Sequence, residues 1–275
     1  MIAEHRHILI TGASSGLGAG LAKSYAKSGV FLSLVGRSDE RLRETVSDCT
    51  AKGADVRYGI FDVGEPAPLG KWIEDGDAIR PIDLVIANAG TSGGPLEVKQ
   101  SDGLALAARQ IRTNLLGVIH TLEPLLPRMI ERSGAQIAVV SSIAGYRGLP
   151  DSPAYSASKA GVRAYGEALR ARLGPLGLSV TVIVPGFFDS PMTDRFHGGK
   201  PMLYSLQRAV EIVRKGLDRR ASRIVFPGLL ATGLQAADLL PPFIGDAIIR
   251  RFPFRIRWNE ADGLDRPATV TPLIP

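Results

Sequence analysis

Short apolar runs and longer stretches of mixed polarity alternate along the whole 275-residue chain. The apolar runs are Ile8–Thr11, Val30–Val35, Asp55–Phe61, Leu84–Ala87, Gln136–Ser141, Ser179–Val184 and Arg223–Phe226. They are apolar at nearly successive positions, the pattern of strands covered on both faces. Between them the apolar residues take helical spacing, as in Leu21, Ala22, Tyr25 and Ala26 after the first run. This alternation predicts an α/β fold: a doubly wound (Rossmann) parallel sheet of seven strands, with right-handed crossovers and helices on both faces. Ligands of such a sheet belong at the carboxyl ends of its strands.

The first strand runs directly into Gly12-Ala-Ser-Ser-Gly16-Leu-Gly18, and a helix follows. Strand, glycine-rich turn and helix place backbone N–H groups and a helix N-terminus where a pyrophosphate can be received. The spacing is G-x-x-x-G-x-G, different from the common G-x-G-x-x-G fingerprint. Taken alone it reads equally as a tight turn.

Candidate chemistry lies further along. Tyr155 and Lys159 are four residues apart, on one face of a predicted helix, and Ser142 precedes Tyr155 by thirteen. A phenol titrates near ~10 in water, and a neighbouring ammonium favours the phenolate. The tyrosine then becomes usable as a proton donor and acceptor. A hydroxyl from Ser142 can hold a carbonyl or alcohol oxygen beside it; strand alternation and the spacing to Tyr155 select Ser142 over Ser141. The bland readings are an exposed Tyr–Lys helix pair and, for Asn114, an amide that kinks the long helix of about residues 101–132.

Thr11-Gly-Ala-Ser-Ser-Gly-Leu-Gly18, Asn88-Ala-Gly90, Asn114, Ser142, Tyr155-x-x-x-Lys159 and Pro185-Gly186 together resemble the short-chain dehydrogenase/reductase family, over about residues 5–227. The resemblance implies an NAD(P)-dependent oxidoreductase that interconverts a carbonyl and an alcohol by hydride transfer. It implies that Tyr155 is the general acid/base, that Ser142 holds the reacting oxygen, and that Lys159 depresses the tyrosine and bonds the nicotinamide ribose. Asn114 then offers its backbone carbonyl to a proton-relaying water. The cofactor set it implies is Gly12, Ser14, Ser15, Gly16, Leu17 and Gly18 in the first turn, Arg37, Asp62 and Val63 at the adenosine, and Asn88, Ala89 and Gly90 after the fourth strand. Pro185, Gly186 and Ser190 complete it at the carboxamide, beside Tyr155 and Lys159. A homodimer or homotetramer built through the helices of Asn114 and Tyr155 is also implied. A catalytically silent dinucleotide-binding sensor or scaffold is the alternative, and the complete set of four polar residues argues against it.

The second strand ends Val35-Gly36-Arg37-Ser38. A carboxylate at such a strand end bonds the adenine ribose of NAD and repels a 2′-phosphate. Here Gly36 takes that place, and the Arg37 guanidinium can fork onto a phosphate. NADP is therefore expected over NAD, although Ser38-Asp39-Glu40 also reads simply as a helix N-cap with an acidic first turn. Ser15 stands where some relatives carry a second basic residue.

Residues 1–230 read as the catalytic domain, with a lid over about 187–205 that holds Phe187, Phe188, Met192, Phe196, Met202 and Tyr204. Those side chains favour an apolar substrate or else pack against the core. Gly93-Gly94-Pro95-Leu96 and Tyr146 are further candidate pocket walls.

Residues 231–275 read as a C-terminal extension. The net charge of +6 is uneven: residues 1–199 carry 21 Lys+Arg against 20 Asp+Glu, and residues 200–275 carry 12 against 7. Over 240–258, apolar residues interleave with Arg250, Arg251, Arg255 and Arg257 and end in Trp258, which suits contact with a membrane surface. A subunit interface or a flap over the substrate pocket is the favoured rival, because Pro241, Pro242 and Pro253 limit helix length. No nucleic acid is expected as a partner, since no recognition motif occurs. The single cysteine, Cys49, excludes an internal disulfide framework, and the four histidines show no ligand spacing, so no metal is expected. No secretory leader precedes the first strand and no apolar run is long enough to span a bilayer, so a cytoplasmic protein is expected.

Overall fold

The computed structural model describes residues 5–93, 103–132, 134–250 and 255–256. The first half runs β1 (His7–Thr11), α1 (Gly16–Tyr25), β2 (Phe31–Gly36), α2 (Asp39–Ala51), β3 (Asp55–Ile60), α3 (Pro66–Ile79), β4 (Leu84–Ala87) and α4 (Leu104–Ile111). A π-helical turn (Arg112–Leu116), α5 (Gly117–Leu122), α6 (Leu126–Arg132), β5 (Gln136–Val140), a 3₁₀ turn (Ile143–Gly145) and α7 (Pro153–Leu173) follow. The chain closes with β6 (Ser179–Pro185), α8 (Pro191–Asp194), β7 (Phe196–His197), α9 (Leu206–Asp218), β8 (Arg223–Phe226), α10 (Gly228–Asp238), α11 (Pro242–Ile249) and β9 (Arg255–Ile256).

Seven strands form one parallel sheet in the order β3-β2-β1-β4-β5-β6-β8, the doubly wound fold read from the sequence. Its direction of winding reverses between β1 and β4, where Ile8 pairs with Leu32 on one side and Leu84 on the other. Strand bounds agree with the apolar runs to within one residue, the ordinary play of fraying ends. The strands read as apolar throughout because each feeds two cores. On β1, Leu9 joins the core under α3, α5 and α7, whereas Ile8 and Ile10 join the one under α1, α2 and α9.

Two features differ from expectation. The long helix expected over about 101–132 is divided: the π-helical turn interrupts it at Asn114, and Pro124, which lacks an N–H, separates α5 from α6. A two-stranded antiparallel ribbon, β7 with β9, pairs Phe196 with Ile256 and His197 with Arg255; strands this short leave no period in the sequence. Among the described residues no helix is long and apolar enough to cross a membrane.

Candidate active site

A cavity of about 520 Å³ opens along the carboxyl ends of the strands. Arg37, Ser38 and Arg41 line it beyond β2, and Pro185, Gly186, Leu230 and Leu234 line it beyond β6 and β8. The loops after β1 and β4, at the switch point, form its middle.

Ser142, Tyr155 and Lys159 come together at one wall, and Asn114 is buried behind it. Ser142 leaves β5 in extended backbone, and its Oγ accepts from the N–H of Ala144 at 3.2 Å, which starts the 3₁₀ turn. The Ser142 hydroxyl faces the Tyr155 phenol across the cavity wall and favours its ionised form. α7 carries Tyr155 and Lys159 on one face, and Ser141, on the opposite side of its strand from Ser142, donates to the carbonyl of Lys159 at 2.7 Å. Strand and helix are thereby locked together beside Ser142 and Tyr155.

The Tyr155 phenol is raised above its ordinary value by burial, with the Ser142 hydroxyl opposing the rise. This differs from the expected depression by Lys159. The ammonium lies 5.9 Å from the phenol ring centre and donates to the Val140 carbonyl at 2.9 Å. Lys159, 4% exposed, is itself pushed down to about 8 by burial.

Asn114 is fully buried in the π-helical turn. Its carboxamide donates to the carbonyl of Thr91 at 2.9 Å and accepts from the N–H of Thr91 at 2.7 Å. It also donates to Ser158 Oγ at 2.9 Å, and Ser158 donates in turn to the Tyr155 carbonyl at 2.7 Å. The loop after β4, the π turn and α7 are therefore one hydrogen-bonded unit.

The glycine turn meets the requirements of a dinucleotide cradle. Gly12 adopts φ +68°, and a Cβ there would stand 2.8 Å from Ala89 Cα, so only glycine lets the first and fourth strand ends close on each other. Thr11 and Asn88 stitch that junction: Thr11 Oγ1 accepts from the N–H groups of Asn88 and Ala89 at 3.1 and 3.2 Å, and Asn88 Nδ2 donates to the Thr11 carbonyl at 3.0 Å. Ser15 stands at the N-cap of α1 without a side-chain cap, and the first turn holds no acidic residue, so its N–H groups suit an anion. Ser14, Ser15, Gly16, Leu17, Val63, Ala89 and Gly90 all line the cavity. Asp62 lies beside the lining: its carboxylate accepts from the N–H of Gly64 at 2.8 Å and faces the Arg37 guanidinium at 3.9 Å. Ser38 takes the N-cap position of α2 but makes no side-chain cap, leaving its hydroxyl at the cavity.

Ser190 caps α8, accepting from the N–H of Thr193 at 3.2 Å. The lid's apolar residues divide between two tasks. Phe187, Phe188, Met192 and Phe196 line the cavity, with the rings of Phe187 and Phe196 4.9 Å apart. Tyr204 instead packs edge-on to Phe226, and Met202 faces outward. Tyr146 is not part of the lining: its ring turns to the Arg163 guanidinium, 5.4 Å away. Gly93 is buried, its carbonyl accepting from Gln110; Gly94, Pro95 and Leu96 lie outside the described residues. So do 251–254, 257 and 258 of the basic stretch.

Three lining features escaped the sequence reading. Arg41 sits in the first turn of α2, where the helix dipole disfavours a cation, and that misplacement was the available signal. Ser152 is 1% exposed, and its Oγ has no partner among the described residues. Leu230 and Leu234, one turn apart on α10, reach the cavity from beyond the seventh strand of the sheet.

Comparison with known proteins agrees with this fold. Residues 6–200 match the short chain dehydrogenase family. An uncharacterized oxidoreductase of Myxococcus xanthus is 38% identical over 253 residues, 90% of this chain and 98% of that one. A putative ketoacyl reductase of granaticin polyketide synthase from Streptomyces violaceoruber is 33% identical over 190 residues, 68% of this chain and 69% of that one. Among solved structures, a short-chain dehydrogenase from Sphingobium yanoikuyae in complex with NADPH superposes with a TM-score of 0.74 at 26% identity, covering 84% of this chain and 92% of that one. The chain belongs to the short-chain dehydrogenase family and is an NAD(P)-dependent oxidoreductase.

Proposed function

We propose that the chain reduces an apolar ketone or aldehyde with NADPH, Tyr155 delivering the proton. The observation that carries this reading is the Ser142–Tyr155 hydroxyl pair at a cavity walled by Phe187, Phe188, Met192 and Leu234, with two arginines at its far end. Bound NADPH supplies the hydride. The residues that would hold it are the Gly12–Gly18 turn, Asp62 and Val63, Asn88–Gly90, Pro185, Gly186 and Ser190. Arg37 and Arg41 would take the 2′-phosphate.

Ser142 and Tyr155 hold the carbonyl oxygen between them, and Tyr155 passes its proton to that oxygen as charge develops. A phenol raised by burial is fully protonated at neutral pH, the form that donation to a carbonyl requires. Lys159 would bond the nicotinamide ribose, and the backbone carbonyl of Asn114, within the π-helical turn, would hold the water that returns a proton. The relative above is named a putative ketoacyl reductase, and a ketoacyl group carries a ketone, which supports reduction of a carbonyl.

The test combines binding and turnover. NADPH and NADH are titrated by nicotinamide fluorescence on the parent, Arg37→Ala and Arg41→Ala, and ketones are screened with the parent and Tyr155→Phe. The expected result is NADPH affinity that falls roughly ten-fold or more in each arginine variant with NADH unaffected, the loss of a charge-assisted bond, and no turnover in Tyr155→Phe. Stronger NADH binding by the parent overturns the cofactor choice, and turnover retained by Tyr155→Phe overturns the proton route.

A further inference from the structure

We propose that Arg147 is a positioning residue, which fixes α10 and α11 against the Ser142 turn and thereby sets the width of the substrate end of the cavity. This rests on reading that end as the substrate site. Arg147 sits between two stretches of cavity lining, Ser142–Ala144 and Leu149. Its side chain turns away from the cavity and spans both C-terminal helices: Nη1 donates to Asp238 at 2.9 Å, at the end of α10, and Nη2 donates to Asp246 at 2.7 Å, on α11. The guanidinium side chain is only 15% exposed, so the pairing is shielded on the arginine side.

The helices are shaped to meet it. A Cβ on Gly245 would stand 2.7 Å from the Ala237 carbonyl and 2.9 Å from Arg147 Nη2, so α11 approaches α10 and the guanidinium as closely as glycine permits. α10 in turn lies on the 3₁₀ turn that begins at Ser142. Its Leu230 and Leu234 form the cavity wall on that side. A sideways movement of α10 therefore changes the space beside the reacting hydroxyls, while the glycine turn, at the switch point, and Arg37, beyond it, stay where they are.

The test uses Arg147→Ala, Gly245→Ala and their combination in the full chain. Short-chain and long-chain methyl ketones are compared by kcat and KM with NADPH, NADPH binding is followed by fluorescence, and amide exchange is measured across 228–249. The expected result is a long-to-short KM ratio that shifts roughly ten-fold in either single variant and no further in the double, as for two residues acting on one contact. NADPH binding stays as in the parent, and α10 amides exchange faster. Arg147→Lys, which cannot fork onto two carboxylates, recovers the ratio only in part. A lower melting temperature with an unchanged ratio and unchanged exchange overturns the proposal. Inactivity of the parent on every ketone would instead sink the reading of the substrate site, and the exchange measurement then decides Arg147 alone: unchanged rates overturn it, faster rates in α10 support it.

Discussion

Gly145 offers a sharp test of whether the Ser142 turn and α7 must be held at one fixed separation. A Cβ at Gly145 would stand 2.8 Å from both the carbonyl carbon and oxygen of Lys159, and 2.9 Å from the Ala160 nitrogen. Ordinary contact begins at 3.4 Å, and the obstacle is helix backbone with no rotamer to yield. Gly145→Ala therefore pushes the turn off α7 by about 0.6 Å, and overpacking of this kind costs about 1–3 kcal/mol. The displacement falls between the Ser142 and Tyr155 hydroxyls, proposed above to share one oxygen, and misplacement on the scale of about 1 Å costs on the order of a hundred-fold in rate. A loss in kcat of roughly ten-fold is the expectation, with NADPH affinity changed much less. Gly148, three residues on in the same loop, supplies the control, because nothing lies within 4 Å of its Cβ position. Steady-state ketone reduction and thermal melting of Gly145→Ala and Gly148→Ala decide the matter. If the two variants behave alike, or Gly145→Ala keeps kcat within about two-fold of the parent, the close approach has no catalytic consequence and the link from sub-ångström displacement to rate fails.

His7 is buried with Nδ1 against the Arg80 carbonyl at 2.6 Å and Nε2 against Ser33 Oγ at 2.8 Å, and burial pushes its pKa down to about 4. The unfolded chain, titrating near ~6.5, takes up that proton first, so stability is whole above the unfolded value and falls as the pH drops toward the folded one. A loss of about 2 kcal/mol between about pH 7.5 and pH 5 follows. Urea midpoints for the parent and His7→Gln measure it, and parallel slopes in the two proteins refute it. Asp77, 4% exposed, accepts from both arms of Arg132 at 2.7 and 2.8 Å and from the N–H of Ile82 at 2.9 Å. Asp77→Ala is expected to cost about 3 kcal/mol and leave NADPH binding untouched, because the network lies at the amino-terminal edge of the sheet; denaturant unfolding with a cofactor titration checks both halves. Lys159, pushed down to about 8, loses its charge above that pH, so kcat/KM for ketone reduction should decline there. A profile that stays flat to well above that value removes the lysine charge from the reaction.

Strand number, order of elements and the doubly wound topology were legible because each strand is buried on both faces and each crossover helix keeps its period. The cavity wall around Ser142, Tyr155 and Lys159 was legible because Tyr155 and Lys159 share one helix face and the family resemblance brings Ser142 to them. What the sequence hid is tertiary. The tie between Asn114 and Thr91 joins residues 23 apart through a carboxamide that either a kink or a loop could use. The raised phenol of Tyr155 depends on how deeply the pair is buried, which no spacing reports. Tyr146 was a candidate pocket wall, yet a guanidinium on the next helix claims its ring. Leu230 and Leu234 sit in an ordinary amphipathic stretch, and only the packing of α10 over the 3₁₀ turn turns them toward the cavity.

The π-helical turn at Arg112–Leu116 amounts to one residue more than a regular helix needs. Removing a single residue there would knit α4 and α5 into a straighter rod with a complete ladder of hydrogen bonds. It would also rotate everything upstream of the cut by about 100° about the helix axis, carrying Asn114 away from Thr91 and Ser158. Local helix stability and the placement of one amide thus pull in opposite directions at this point of the chain. A search for stabilised variants that permits deletions should find this site early, and the proteins it yields should be harder to unfold and unable to turn over substrate.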